Sequence, residues 1–254
     1  MTNDMTIDDY LKQGGVVSSP ANLPPRYRAE LLRLMASFID SELAASAGFA
    51  EAINHSPGIR QRINAAKIVL EKARHAGAVL ELMGEFGADT ERYAGSHPWN
   101  ARIHREDDIG RSRADGRDMR LSVFYYPFEG WNDAVLMNVL MGIASSIQLE
   151  ELSKISYAPL AETFREIIPE ENAHTELGIA ELHHIMKDKS GSDSLQKSIK
   201  YWLPRIEATF GQIESDRFER LQSYGLRHRT NRDMLDQFKK NTGDFLARLA
   251  IANN

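Results

Sequence analysis

The sequence predicts an all-α protein, a four-helix bundle with additional C-terminal helices. Apolar residues recur at spacings of three and four over long stretches, which is the period of one helix face. The stretches fall into two pairs with short internal connections and one long crossover between the pairs, a layout that sets helical neighbours antiparallel. With 254 residues, 42% of them hydrophobic, the chain can bury a sizeable core.

Residues 1–20 run into Gly14-Gly15 and Ser18-Ser19-Pro20 without an extended apolar period. They are expected to form a mobile arm, leaving 21–254 as a single helical domain. A first helix is predicted from Pro24-Pro25 to about Ala52, on Leu31, Leu32, Met35, Phe38, Ile39, Leu43 and Phe49. Ser56 followed by Pro57 reads as an N-cap with proline in the first turn, opening a second helix that ends near Phe86-Gly87. Between Gly95 and Gly130 the period fails over a connection too long to be ordinary. A third helix is predicted from about Trp131 to Tyr157 and a fourth from Pro159 to about Lys187. SGSDS at 190–194 reads as a turn with Asp193 as cap, then a helix to about Tyr224 with a kink at Pro204. Asn231 is expected to cap a last helix ending near Ala250.

Composition narrows the chemistry. The chain has no cysteine, so any metal must be held by His, Asp and Glu. A net charge of −5 argues against a nucleic-acid binder. No apolar run approaches the ~20 residues of a membrane span, and the opening MTNDMTIDDY is acidic where a signal peptide is basic. A cytoplasmic protein without membrane contact is expected.

A carboxylate-bridged di-metal bundle takes one acidic residue from each of two helices and a Glu-x-x-His pair from each of two others. Residues three apart on a helix reach one metal together. The fourth helix has such a pair, Glu171 with His174. The second has His75, but the residue three before it is Lys72, and Glu71 lies four before. Glu42, midway along the first helix, is the candidate single carboxylate. The plain alternative is that Glu42, His75, Glu171 and His174 form a buried hydrogen-bonded cluster without metal. His183-His184 turns away from the His174 face and reads as surface.

From Leu23 to about Ala250 the chain resembles the phenylacetic-acid catabolic family, the catalytic and sister subunits of the multicomponent phenylacetyl-CoA epoxidase. The stretches that carry the resemblance are LPPRYRAELLRL, the SEL around Glu42, EKARHAGAVLELMGEFGAD, FYYPFEGW and SYAPLAETFREIIPEENAHTELG, with TNRDMLDQFKKNTGDFLARL matching more loosely. The resemblance implies a ferritin-like fold, di-iron ligands at Glu42, His75, Glu171 and His174, and association with another helical subunit. Two of the family's ligand positions depart: its carboxylate paired with His75 is Lys72 here, and its acidic ligand on the third helix falls at Gly142. Pro169, just before the Glu-x-x-His segment, is a further departure.

Two carboxylates beside an ammonium neutralise two divalent ions poorly. Lys72 is therefore expected to place its own cation between Glu42 and Glu171, with Gly142 giving its stem room. Either no cofactor or partly occupied iron follows. In the crossover, Arg102, Arg105, Arg111, Arg113, Arg117 and Arg120 are interspersed with acids. They read first as a solvated mixed-charge loop, and alternatively as a grip on the phosphates of an aromatic CoA ester. The reading reached is a family member with a degenerate di-iron site, a structural or partner-binding subunit in a homo- or hetero-oligomer. The rival is an oxygenase with a mononuclear or unusual di-metal centre acting on an aromatic CoA ester. An RNA-binding use of the arginines is disfavoured, because residues 102–120 lack interleaved aromatics.

Overall fold

Local chemistry sets the ends of the long helices. In the computed structural model, which describes residues 5–112 and 118–251, Pro25 sits in the first turn of α2 (Pro25–Ala52), where its missing N–H is no loss. α3 (Ile59–Glu85) starts after Gly58, so Ser56 is not its cap. The Ser56 hydroxyl instead donates back to the Ile53 carbonyl at 2.6 Å and closes the turn that ends α2. Gly87, at φ 83°, stops α3 in the left-handed conformation. The short α4 (Thr90–Ser96) is capped by the Asp89 carboxylate, which accepts the Arg92 N–H at 3.0 Å.

α5 (Trp131–Leu152) and α6 (Ala158–Ile185) form the second long pair, and α6 runs unbroken through Pro169. After them come α7 (Lys189–Glu207), α8 (Arg217–Ser223) and α9 (Asn231–Ile251). SGSDS lies inside α7 rather than in a turn. Its Gly191 is buried, and a Cβ there would lie 2.3 Å from the Ile185 carbonyl oxygen, so the glycine permits a tight α6–α7 corner. The predicted helix to Tyr224 is two helices, with α7 ending at Glu207. Thr230, not Asn231, caps α9: its hydroxyl accepts the Asp233 N–H at 3.1 Å while Asp233 accepts the Thr230 N–H at 3.2 Å. This is the reciprocal arrangement of a capping box.

The segment expected as an arm is tied to the body at Leu11 and Val17. It holds α1 (Ile7–Lys12), whose Leu11 is buried in the core. Val17 donates to the Ser156 carbonyl and accepts from the Ala158 N–H, at 2.8 and 2.9 Å.

α2 packs along α3 and α5 along α6, and the two pairs meet chiefly through α3 and α6. α5 is long and apolar enough to cross a membrane by length and composition, yet 67% of that window is buried inside the protein. Its other neighbours are α7 and α9, and a helix enclosed in this way is apolar all round. One hydrophobic cluster centres on α5 with Trp202 and Phe238, and the other gathers Tyr27, Leu31, Met35, Tyr157 and Phe164. Along α2, Ile39 belongs to the second cluster and Ala45 to the first. Glu42 therefore falls where one cluster gives way to the other.

The described part of the crossover is folded and built on its arginines. Arg102 donates to the carbonyls of Trp99, Ala101 and Ala44 at 2.7–3.0 Å. Arg105 forms a bidentate pair with buried Asp133, at 2.9 and 3.0 Å, and stacks 3.7 Å above the Tyr201 ring. Arg120 is fully buried against Asp118 and donates to the carbonyls of Pro98, Trp99 and Ala101. With Arg105 also donating to the Pro127 carbonyl at 2.8 Å, these three guanidinium groups are spent on backbone carbonyls and buried acids, so they are neither the solvated loop expected first nor the phosphate grip weighed as its alternative. Arg111 is exposed and lines a surface cavity. Arg113 and Arg117 lie outside the described residues.

Candidate functional site

Three helices bring the sequence-predicted residues together. α2 contributes Glu42, α3 contributes Lys72 and His75, and α6 contributes Glu171 and His174, and all five side chains are buried. On α3 the three-residue step from Lys72 to His75, and on α6 the same step from Glu171 to His174, keep each pair on one face. Two apolar clusters flank the group, so each charged atom must find its partner within it.

The partners are mutual. Lys72 Nζ donates to Glu171 Oε1 and Oε2 at 2.8 and 3.0 Å and to Glu42 Oε1 at 3.2 Å. His75 Nδ1 lies 3.3 Å from Glu42 Oε2 and 3.2 Å from Glu171 Oε1, while its Nε2 lies 2.9 Å from Glu170 Oε2. His174 Nε2 lies 2.6 Å from Glu71 Oε2. His174 Nδ1 is within 3.3 Å of Glu171 Oε1 but without a hydrogen bond, because the approach is off line. Glu71 and Glu170 thus anchor the outer nitrogen of each imidazole, and both Nδ1 atoms turn inward.

Charge states follow from these contacts. Burial alone would lower the pKa of His75, but hydrogen bonds to Glu171 and Glu42 overcome it and hold the imidazolium to about 10. Burial likewise works against the charged form of Lys72, and the carboxylates of Glu171 and Glu42 override it and raise its pKa. For Glu171, burial opposes ionisation, but the Lys72 charge and the nearby imidazoles of His174 and His75 hold the carboxyl well below its usual range. Lys72 and His75 are therefore both cations at neutral pH, facing the ionised Glu171 carboxylate.

A pH dependence of stability follows. Because the folded-state value of His75 is raised, its contribution is complete below the ordinary imidazole value of 6.5 and is lost as pH rises through about 10. Glu171, whose value is depressed, contributes above its ordinary 4.5 and loses that contribution as pH falls below it. Urea midpoints measured from neutral to alkaline pH should decline, and His75→Gln should flatten the decline. An unchanged alkaline limb in that variant would show that His75 is not charged in the fold.

One oxygen or nitrogen each from Glu42, His75 and Glu171 lies within 4.8 Å of the others, close enough for a single ion. The Lys72 ammonium, however, bonds to two of these three groups, and both ring nitrogens of His75 already face carboxylate oxygens. The adjoining cavity, lined by Glu42, Lys72, Gly142, Glu171, His174 and Thr175, measures about 20 Å³, room for about one water. As folded, Lys72 engages both Glu42 and Glu171, and the space beside them is small.

Gly142 does not make room for the lysine stem, as expected from the sequence. A Cβ on it would lie 2.0 Å from Thr175 Oγ1 and 3.1 Å from Thr175 Cβ, so the space belongs to Thr175. Thr175 donates to the Glu171 carbonyl at 3.1 Å, one turn back on α6. Sequence reasoning missed Thr175 and Glu170. Thr175 directly follows His174, and Glu170 directly precedes Glu171, so a search for Glu-x-x-His passes over both. His183 and His184 are exposed, as expected.

Beside the cluster lies a larger cavity of about 240 Å³, whose lining includes Phe38, Phe124, Met141, Glu42, Glu171 and Arg227. Comparison with known proteins adds to this geometry. A family model described as phenylacetic acid catabolic protein matches residues 5–252. One subunit of the 1,2-phenylacetyl-CoA epoxidase of Escherichia coli (strain K12) is 22% identical over 246 residues, covering 95% of this chain and 74% of the relative.

Proposed function

Because the chain belongs to the phenylacetic acid catabolic protein family, we propose that it serves there as a metal-poor subunit, supporting or binding a partner in aromatic CoA-ester degradation. One observation carries this reading: the Lys72 ammonium lies 2.8 Å from Glu171 and 3.2 Å from Glu42, where a metal would need those oxygens. A buried ammonium held by two carboxylates supplies the neutralisation that an ion would otherwise bring. The relative's name as one subunit of an epoxidase supports a role exercised in association. A cytoplasmic setting is part of the same proposal.

The test is metal analysis of protein purified from iron-supplemented cells. Less than one equivalent of tightly bound iron is expected, and stoichiometric di-iron would end this reading. A second reading, an oxygenase with a single metal ion, draws on His174 Nδ1, which is buried, turned inward and without a hydrogen bond. The outer carboxylates on both imidazoles also support it, since a metal-binding histidine is oriented by such partners. One equivalent of iron, lost in His174→Ala, would favour it.

A further inference from the structure

The outer face of α3, opposite the polar cluster, carries a regular apolar stripe. Ile59, Ile63, Ala66, Leu70, Ala73 and Gly77 follow one another at steps of four, three, four, three and four. That alternation is the heptad seam of a helix that packs along another helix. The inward face of α3 uses a different set, Ala65, Ile68, Lys72, His75, Ala76 and Val79. Ile59, Ile63 and Leu70 are 78%, 62% and 60% exposed, and the other strongly exposed large hydrophobics among the described residues, Met5, Tyr10 and Val16, lie in the N-terminal segment. Ala66 and Ala73 are exposed as well, and a Cβ on Gly77 would meet open space.

The composition of the stripe states what fits it. Three of its six positions are alanine or glycine, which let a helix approach closely and leave hollows for large apolar side chains. One flank is cationic: Arg60, Lys67 and Arg74 recur every seven residues and are exposed, with Glu71 beside Lys67 at 3.6 Å. A second copy of this chain satisfies the shapes but not the charges. An antiparallel pairing that sets Leu70 on Ala66 and Ile63 on Ala73 also sets Lys67 against its own copy and Arg60 against Arg74. Like charges facing one another across a helix pair are unfavourable, and such flanking charges choose the partner.

We infer that this face of α3 docks a helix of a different chain, with large apolar residues along its seam and acidic residues along its flank. The inference rests on the partner-binding reading and gives that partner a chemistry. Iron content tests the metal-poor reading independently of it.

The probe is a synthetic helical peptide of three heptads, with leucine at the seam and glutamate at the flanks, alongside a counterpart with lysine flanks. Binding to the full chain is followed by fluorescence anisotropy. The glutamate peptide should bind at least about tenfold more tightly than the lysine peptide. Leu70→Glu, at an exposed position, should abolish binding, and Lys67→Glu with Arg74→Glu should reverse the preference. Equal binding of the two peptides, or binding unaffected by Leu70→Glu, overturns the inference. So does a dimer of the unmodified chain, read by analytical ultracentrifugation, that Leu70→Glu dissociates, since that would show the face to pair with a second copy.

Discussion

Lys72→Ala should destabilise the fold by about 3–5 kcal/mol, the effect of removing one partner from a buried ion pair. The lysine side chain is only 8% exposed, and its partners Glu42 and Glu171 are 10% and 6% exposed. In the variant, two carboxylates would face each other with only His75 between them. The comparison is urea unfolding of the two proteins in the presence of a chelator, so that no adventitious ion replaces the ammonium. A companion variant, Lys72→Met with Glu42→Gln and Glu171→Gln, should recover most of the loss, because a buried pair replaced as a whole is often nearly neutral. A Lys72→Ala protein as stable as the parent would mean that the carboxylates bind protons instead of the lysine.

Restoring the family's ligand set should require three substitutions. Lys72→Glu with Gly142→Asp returns both acidic positions, but the new aspartate would meet Thr175 at 2.0 Å from its hydroxyl oxygen. The double variant should therefore be poorly folded and hold little iron. Adding Thr175→Ala removes the hydroxyl and the methyl group, leaving the Cβ at 3.1 Å, a contact that a small shift relieves. The triple variant should take up about two equivalents of ferrous iron, as a full carboxylate and histidine set does. Metal analysis after desalting reads the result. Stoichiometric iron in the double variant would show that Thr175 is no obstacle.

Sequence periodicity located the four long helices because each buries one continuous face, and that demand is local. Pro25 and Gly87 act on their own backbone, so the starts and stops they mark were also legible. Ser56, Asn231 and the SGSDS turn were misassigned because each has the composition of a cap or turn. Ser56 and Asn231 lost that role to local alternatives, the Ile53 carbonyl and the Thr230–Asp233 box, while SGSDS was decided by the α6–α7 corner, Gly191 against the Ile185 carbonyl. The arginines of the crossover looked free because the carbonyls they satisfy, those of Ala44, Pro98, Trp99 and Ala101, are anonymous in a sequence.

At the site, the amino-acid types and their helical spacing, together with the family resemblance, singled out Glu42, His75, Glu171 and His174 and placed Lys72 among them. Side-chain direction along a helix follows from residue number, so this much needs no tertiary information. Only the packing of α2, α3 and α6 decided which atoms meet: that Lys72 bonds both carboxylates, that Glu71 and Glu170 hold the outer nitrogens of the two imidazoles, and that Thr175 fills the space at Gly142. Those outcomes depend on distances between helices distant in sequence, where a shift of an ångström or two separates a metal ligand from a salt bridge.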